Sequence, residues 1–173
     1  MLISDETSKA IDILYGKFFD LNATLDVAVS YMLNVWAMPQ ASAICHSNLA
    51  HTAPVMADFL SEIKDNYNIR SIRPAVHEDK REYTNLADMF ETILKEYSDT
   101  YEMIKMTDKV AHEHNDFAVH ADLVKFTNLF NKVIGVVITL RDKSVQMPTD
   151  YDIFDRHITS WGVDKVSEWV NDF

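Results

Sequence analysis

The segment AHEHNDFAVH, residues 111–120, contains three histidines, a glutamate and an aspartate. Imidazole and carboxylate groups are common ligands of divalent metal ions in proteins. On a continuous helix His112 and His114 would point about 200° apart, whereas Asp116 would lie one turn from His112 and one turn from His120. The segment therefore does not form a chelating site by itself, and a metal site here would need ligands from elsewhere.

An ordinary turn between two helices explains the same residues. Histidines in the last turn of a helix interact favourably with its negative end and donate to free carbonyls. Asn115 and Asp116 are typical of a turn and of the residue that caps a following helix. This structural role is favoured over a metal site. Glu113, Asp116 and His120 are candidate metal ligands only where an assembly brings further groups to them.

A second pair of candidate ligands, Asp58 and Glu62, lies in the segment ADFLSEI. The two carboxylates are one helical turn apart, a spacing that allows both to contact one cation. The chain has 27 acidic residues, so such pairs are expected by chance, and a solvated acidic face is the favoured interpretation.

Helices must position these side chains, because apolar residues recur at spacings of three and four along most of the chain. The pattern predicts a first helix over 5–38, ended by Pro39, because the residue before a proline is pushed out of the helical region. A second apolar stripe covers 49–67. Pro54 lies inside this stripe, so the second helix is either kinked there or begins near Thr52.

Residues 66–83 break the periodicity and predict a long connection. Asn85 is placed to cap a third helix that ends near Asn115, and Asp116 to cap a fourth helix whose apolar face reaches Leu140.

The rest of the chain is predicted to be less regular. Residues 143–162 are expected to be loop-like, and 163–173 to form a short final helix.

The connection lengths predict the topology of the four long helices. Short connections make helices one and two, and helices three and four, antiparallel hairpins. The long connection can run the length of the bundle. We therefore expect an all-α four-helix bundle with one long crossover between the second and third helices.

Composition excludes several classes of function. The formal net charge of −11, with no basic tail or stripe, argues against a nucleic-acid partner. The longest apolar stretch, VIGVVITL at 133–140, is too short to span a bilayer, and MLISDETSKA does not look like a secretory signal. The single cysteine, Cys45, suits a reducing compartment and is expected to be buried. These features favour a soluble cytoplasmic protein without a membrane partner.

The segments LNATLDVAVSYMLNVW, LADMFETILKEYSDTYEMI and HEHNDFAVHADLV are similar to the first helix, and to the third helix, turn and fourth helix, of ferritins. Over most of residues 5–145 the chain resembles the ferritin-like superfamily, which includes ferritins and Dps-type miniferritins. Its short final helix is more similar to ferritin than to Dps. The resemblance implies a ferritin-like four-helix bundle over 1–145 and a C-terminal extension with a short helix over 146–173.

Ferritins oxidise Fe(II) at a di-iron site built from carboxylates and a Glu-x-x-His pair inside the bundle. The resemblance places Asp26 at the carboxylate of the first helix, Asn48 and His51 at the Glu-x-x-His pair, and Tyr97 at the glutamate of the third helix. No histidine in the sequence follows an acidic residue by three positions. We therefore expect a degenerate or absent ferroxidase centre, with Asp26 and His51 as candidates for holding one ion weakly.

Two other metal sites follow from the resemblance. A Dps-type site between two subunits would use Asp58 and Glu62, although the first helix supplies no histidine. In ferritin cages the start of the fourth helix lines pores on three-fold axes. Glu113, Asp116 or His120 would then recur three times around one pore, and symmetry would supply the missing ligands.

The favoured function is a homo-oligomer or cage subunit that binds or stores iron or another divalent cation. The alternative is a metal-free helical bundle that serves as a structural or interaction protein. A ferroxidase with relocated ligands around Asp58 and Glu62 is the least favoured. No phosphate-binding loop, nucleophile elbow or cysteine nucleophile points to another enzyme class.

Overall fold

Residues 2–173 fold into seven α-helices that enclose one apolar core. The structure is a computed structural model and describes residues 2–173, among which no β-strand occurs. The helices are α1 Asp5–Asn34, α2 Pro39–Cys45, α3 Thr52–Asp65, α4 Leu86–Glu113, α5 Phe117–Gln146, α6 Tyr151–His157 and α7 Val166–Asn171. The predicted all-α bundle with one long crossover is confirmed.

The first long helix is shorter than its apolar pattern suggested. Ser4 caps α1 by accepting a hydrogen bond from the Thr7 N–H, and α1 ends at Asn34 rather than at Met38. The chain then turns through Ala37, which has a φ of 53°. Pro39 follows the end of the first helix and also begins the next one. It occupies the first turn of α2, where its fixed φ suits a helix start.

The second bundle helix is a continuous rod made of α2, a π-helical segment at His46–Ala50, and α3. Pro54 lies in the first turn of α3, which begins at Thr52 as one of the two predicted alternatives had it. The helical turns before Leu49 were not predicted. Because Pro54 has no N–H, the Ala50 carbonyl accepts a hydrogen bond from Asn22 Nδ2 of α1 instead, at 2.9 Å.

The predicted long connection crosses the outside of α1 from the end of α3 to the start of α4. Asp12 accepts a hydrogen bond from the Ile72 N–H at 2.9 Å, which ties this crossover to α1. The Pro74 ring lies against Gly16, where an added Cβ would be 2.6 Å from Pro74 Cγ. Gly16 therefore allows a close approach that no larger residue would.

The hairpin of α4 and α5 is the most extensive packing in the fold. Asn85 caps α4 as predicted, by accepting a hydrogen bond from the Asp88 N–H at 3.0 Å. Asn115, with a φ of 61°, reverses the chain between the two helices.

The expectation that residues 143–162 form a loop is wrong. Helix α5 continues to Gln146, and α6 follows almost at once. Phe154 and Ile158 are one turn apart and completely buried, and Asp155 accepts a hydrogen bond from the Ala41 N–H of α2 at 2.7 Å. Two apolar residues are too few to show a helical period in the sequence. The predicted final helix is confirmed as α7.

Helix α5 is long and apolar enough to cross a membrane by length and composition alone. Its Leu123, Phe126 and Phe130 side chains are buried. The rings of Phe126 and Phe130 pack edge-on against Phe18 of α1, with centroids 5.6 and 5.8 Å away. These contacts are those of a core helix within the bundle.

Candidate functional site

The histidine-rich segment folds as the end of α4, a turn and the start of α5, and it brings three titratable side chains together. His120 Nδ1 lies 2.6 Å from Asp108 Oδ1, and both side chains are about one-third exposed. The His112 ring approaches the His120 ring edge-on, with centroids 5.3 Å apart. We call Asp108, His112 and His120 the α4–α5 corner.

The α4–α5 corner has the chemistry of an incomplete metal site. When Asp108 accepts a hydrogen bond from Nδ1, the Nε2 lone pair of His120 is available to a metal ion. A carboxylate holds metal-binding histidines in this way in many proteins. The His112 ring is close enough to supply a second nitrogen. One metal ion bound at the corner could thus contact two imidazoles, and it would need further ligands.

Asp116 takes no part in the corner. It occupies the N-cap position of α5 as predicted, but its carboxylate makes no capping hydrogen bond to that helix. Its carboxylate accepts hydrogen bonds from the Ser4 N–H at 3.1 Å and from Ser4 Oγ at 2.7 Å. Burial alone would raise the pKa of Asp116, but hydrogen bonds from Thr7 and Ser4, together with His114, lower it below its ordinary value. Asp116 therefore joins the start of α1 to the start of α5, and its carboxylate is hydrogen-bonded to Ser4 rather than to His120, one turn away.

The other acidic candidates lie on the surface. Glu113 is exposed, and Lys109 Nζ lies 3.7 Å from its carboxylate. Asp58 and Glu62 are both exposed, one turn apart on α3. Each of these three carboxylates is accessible to solvent or to another subunit.

The structure does not bring Asp26, His51 and Tyr97 together. Asp26 and His51 are exposed, whereas Tyr97 is completely buried and stacks on Phe130 at 5.6 Å. One reason is local, because the π-helical segment turns His51 outward. Asp26 and His51 therefore lie on the surface, and they do not line the bundle interior with Tyr97.

Other polar groups in the bundle interior are few. Within residues 2–173 no glutamate or histidine is buried. Asp155 near α2 is buried, and the Asp79 side chain in the crossover is only 7% exposed. In the same part of the chain, no three side chains of His, Cys, Asp or Glu are arranged to hold a metal ion.

The arrangement of the long helices matches solved ferritin structures. An open-pore ferritin from the archaeon Archaeoglobus fulgidus superposes with a TM-score of 0.82 at 15% identity, over 92% of this chain and 97% of that one. An engineered closed form of the same ferritin gives 0.81 at 16% identity, over 91% and 96%. A PmFTN variant soaked in iron gives 0.74 at 15% identity, over 83% and 91%.

The chain has a ferritin-like fold. No family model matches its sequence, and neither does any curated protein sequence. At these identities the similarity establishes the fold, and function has to be argued from the residues.

Within this ferritin-like fold, the buried hydroxyl of Tyr97 has no hydrogen-bond partner. Burial, with a smaller effect of nearby Cys45, raises the pKa of the Tyr97 phenol well above its ordinary value. The hydroxyl is therefore neutral, and it has lost its hydrogen bonds to water without replacement.

The Tyr97→Phe variant should raise the free energy of unfolding by roughly 1–2 kcal/mol, because it removes a buried polar atom that makes no hydrogen bond. Urea unfolding of both proteins, without added metal, measures the difference. Tyr83→Phe, which removes another buried hydroxyl without a partner, is the matched comparison. Destabilisation by Tyr97→Phe would show that the hydroxyl has a partner in solution.

Sequence reasoning missed two residues of interest. Asp108 precedes His112 by four positions, so their shared helical face could have been noticed from the sequence alone. His46 is paired with His51 only through the π-helical turn, and no sequence pattern predicts that turn.

Proposed function

We propose that this chain is the subunit of a ferritin-like homo-oligomer or cage in the cytoplasm that binds or stores iron or another divalent cation. The ferroxidase centre inside each subunit would be degenerate or absent. The observation that supports metal binding best is the Asp108–His120 pair with His112 beside it. The ferritin-like fold supports assembly, and the net charge of −11 provides a field that attracts cations.

Symmetry would complete the α4–α5 corner. In ferritins, the start of the fourth helix of each subunit lines a three-fold pore. His120 lies in the first turns of α5, which is the fourth long helix of this chain. A three-fold assembly would place three copies of the corner around one axis, so that each ion meets imidazoles from several subunits. Exposed Glu113 would add negative charge at the same entrance. Asp58 and Glu62, also exposed, remain a second proposed place for a cation between subunits.

The outer face of α5 supports association with other copies of the chain. Phe117, Val124, Ile138 and Val145 are all exposed, by 40–59%, and their spacing is a multiple of seven. A seven-residue repeat keeps side chains on one line along a helix. Gly135 lies on the same helix, and nothing is within 4 Å of where its Cβ would be. The remaining position of this repeat, Asn131, is polar and exposed. A mostly apolar, uncrowded line of this kind is typical of a contact surface.

The proposal is tested by measuring the solution mass by light scattering and the iron content of the same peak, after incubation with Fe(II). We expect a particle much heavier than the 19.9 kDa chain, carrying iron. His120→Ala should reduce bound iron several-fold without changing the particle mass. His157→Ala, which removes another exposed histidine, is the matched control. A metal-free monomer or dimer, or unchanged iron in His120→Ala, would contradict the proposal.

A metal-free interaction protein is the second candidate. The apolar bundle interior around Tyr97 and Phe130 favours it, because buried metal ions need charged ligands nearby. On this alternative the exposed line on α5 would bind another protein. A metal-free particle that still self-associates or captures a partner through α5 would support it.

A further inference from the structure

Two histidines that the proposed function does not use lie side by side on the second bundle helix. The ring centroids of His46 and His51 are 4.0 Å apart, with the planes tilted by 54°. His46 is half-buried and His51 is exposed, so the pair is open to solvent on one side.

The π-helical segment creates this pair. In an α-helix, residues five positions apart point about 140° away from each other. Here the His51 N–H donates to the His46 carbonyl at 2.9 Å, a five-residue hydrogen bond that brings the two residues onto one face. Without the extra residue in this turn, the two imidazoles would lie on different sides of the helix.

The sequence explains why the turn forms at this point. The ring of Pro54 conflicts with a regular α-helical bond to the Ala50 carbonyl. Asn22 of α1 binds that carbonyl, and the Thr52 hydroxyl donates to the Asn48 carbonyl at 2.7 Å. The irregular turn is thus compensated by side chains.

A further contact holds the π-helical segment in place. Asn48 Oδ1 accepts hydrogen bonds from the Ser167 N–H at 3.2 Å and from Ser167 Oγ at 2.7 Å. Asn22 binds a backbone carbonyl of the segment and Ser167 binds the Asn48 side chain, so the segment is held from two sides. A fixed backbone keeps His46 and His51 together and lowers the entropy lost when both bind one ligand.

We propose that His46 and His51 form a surface site for a transition-metal ion such as Zn²⁺, with water or a group from another molecule in the remaining positions. Zinc binds imidazole nitrogen at about 2.0–2.1 Å, and two rings this close reach one ion after a small rotation. Imidazole ligands favour Zn²⁺, Cu²⁺ or Ni²⁺ over Mg²⁺ or Ca²⁺, which prefer oxygen. The site is separate from the α4–α5 corner and does not rest on the proposed function.

Calorimetric titration with Zn²⁺ tests the site in the full chain carrying His112→Ala and His120→Ala, which remove the other histidine pair. We expect about one Zn²⁺ per chain. Adding either His46→Ala or His51→Ala should weaken binding by about tenfold or more, because each leaves a single imidazole. His157→Ala is the matched control and should leave the affinity unchanged.

A second measurement separates a shared site from two independent histidines. NMR signals of the His46 and His51 rings should shift together as Zn²⁺ is added, with the same midpoint. Circular dichroism confirms that each variant is folded. Equal zinc affinity in all four proteins, no binding at all, or ring signals that respond at different concentrations would overturn the proposal. Iron uptake through His120 is measured in a separate experiment. An absence of zinc binding at His46 and His51 would therefore not contradict the proposed function.

Discussion

Replacing Asp12 with alanine should lower the free energy of unfolding by roughly 3–5 kcal/mol, because it leaves a buried ammonium group without its partner. The Lys64 side chain is only 1% exposed, and its Nζ lies 2.6 Å from Asp12 Oδ2. Asp12 Oδ1 also accepts the Ile72 N–H, so the variant loses one attachment of the crossover to α1. Urea unfolding monitored by circular dichroism measures the change.

Two further variants separate the buried charge from the loss of the crossover contact. Asp20→Ala removes the carboxylate that binds His77 of the same crossover, but the His77 side chain is 86% exposed. An exposed pair contributes little, so Asp20→Ala should cost no more than about 1 kcal/mol. Adding Lys64→Met to Asp12→Ala should recover most of the lost stability, since no charge is then buried. A loss below about 1 kcal/mol for Asp12→Ala would show that Lys64 reaches solvent or another partner.

The long elements of this fold were predictable because each buries a stripe of apolar residues at helical spacing. Helix α4 is an example, since its repeated apolar face and the Asn85 cap both appear in the sequence. Helix α6 was missed because it is seven residues long and its burial depends on contacts with α2. Phe154 is the one buried apolar residue within α6, and with Ile158 just after it there are too few to show a helical period.

The candidate sites were harder to predict, because their geometry depends on contacts distant in sequence. Asp116 has a suitable spacing for His120, yet it binds Ser4, 112 positions away. The spacing of nearby residues does not reveal a hydrogen-bond partner that is distant in the sequence. His120 instead meets Asp108 across the hairpin, which follows from the antiparallel pairing of α4 with α5.

The direction in which His51 points was unpredictable for a different reason. One extra residue in a helical turn rotates every later side chain by about 100°. The π-helical turn before Thr52 therefore changes which residues of the second helix face the core. Pro54 is visible in the sequence, but the response to it depends on Asn22 of α1.

Cys45 should react with a thiol reagent at least about 1,000-fold more slowly in the folded protein than in the unfolded chain, because reaction requires an opening of the core. The cysteine is 1% exposed, at the end of α2 and just before the π-helical segment. Burial raises the pKa of its thiol from 9.0 to about 12, so the folded protein contains almost no reactive thiolate near neutral pH. Absorbance of the released thiol product, with and without urea, measures both rates.

The raised pKa also gives the direction of a pH effect on stability. Because the folded protein holds the Cys45 proton more tightly than the unfolded chain, this contribution is fully present below pH 9.0 and is lost as the pH rises towards about 12. Cys45→Ala should remove that part of the pH dependence of unfolding. An unchanged decline in stability with rising pH in Cys45→Ala would assign it to other groups.

The labelling rate of Cys45 also shows whether the π-helical segment opens separately from the rest of the bundle. If α2 and the segment unfold only with the whole protein, the free energy of opening obtained from labelling equals that from urea unfolding. Ser167→Ala, which removes the hydroxyl that binds Asn48, should then change both values equally. A larger effect of Ser167→Ala on labelling would mean that the π-helical turn opens locally. His46 and His51 would then be held together less firmly than the folded structure indicates, and zinc binding should slow the labelling of Cys45.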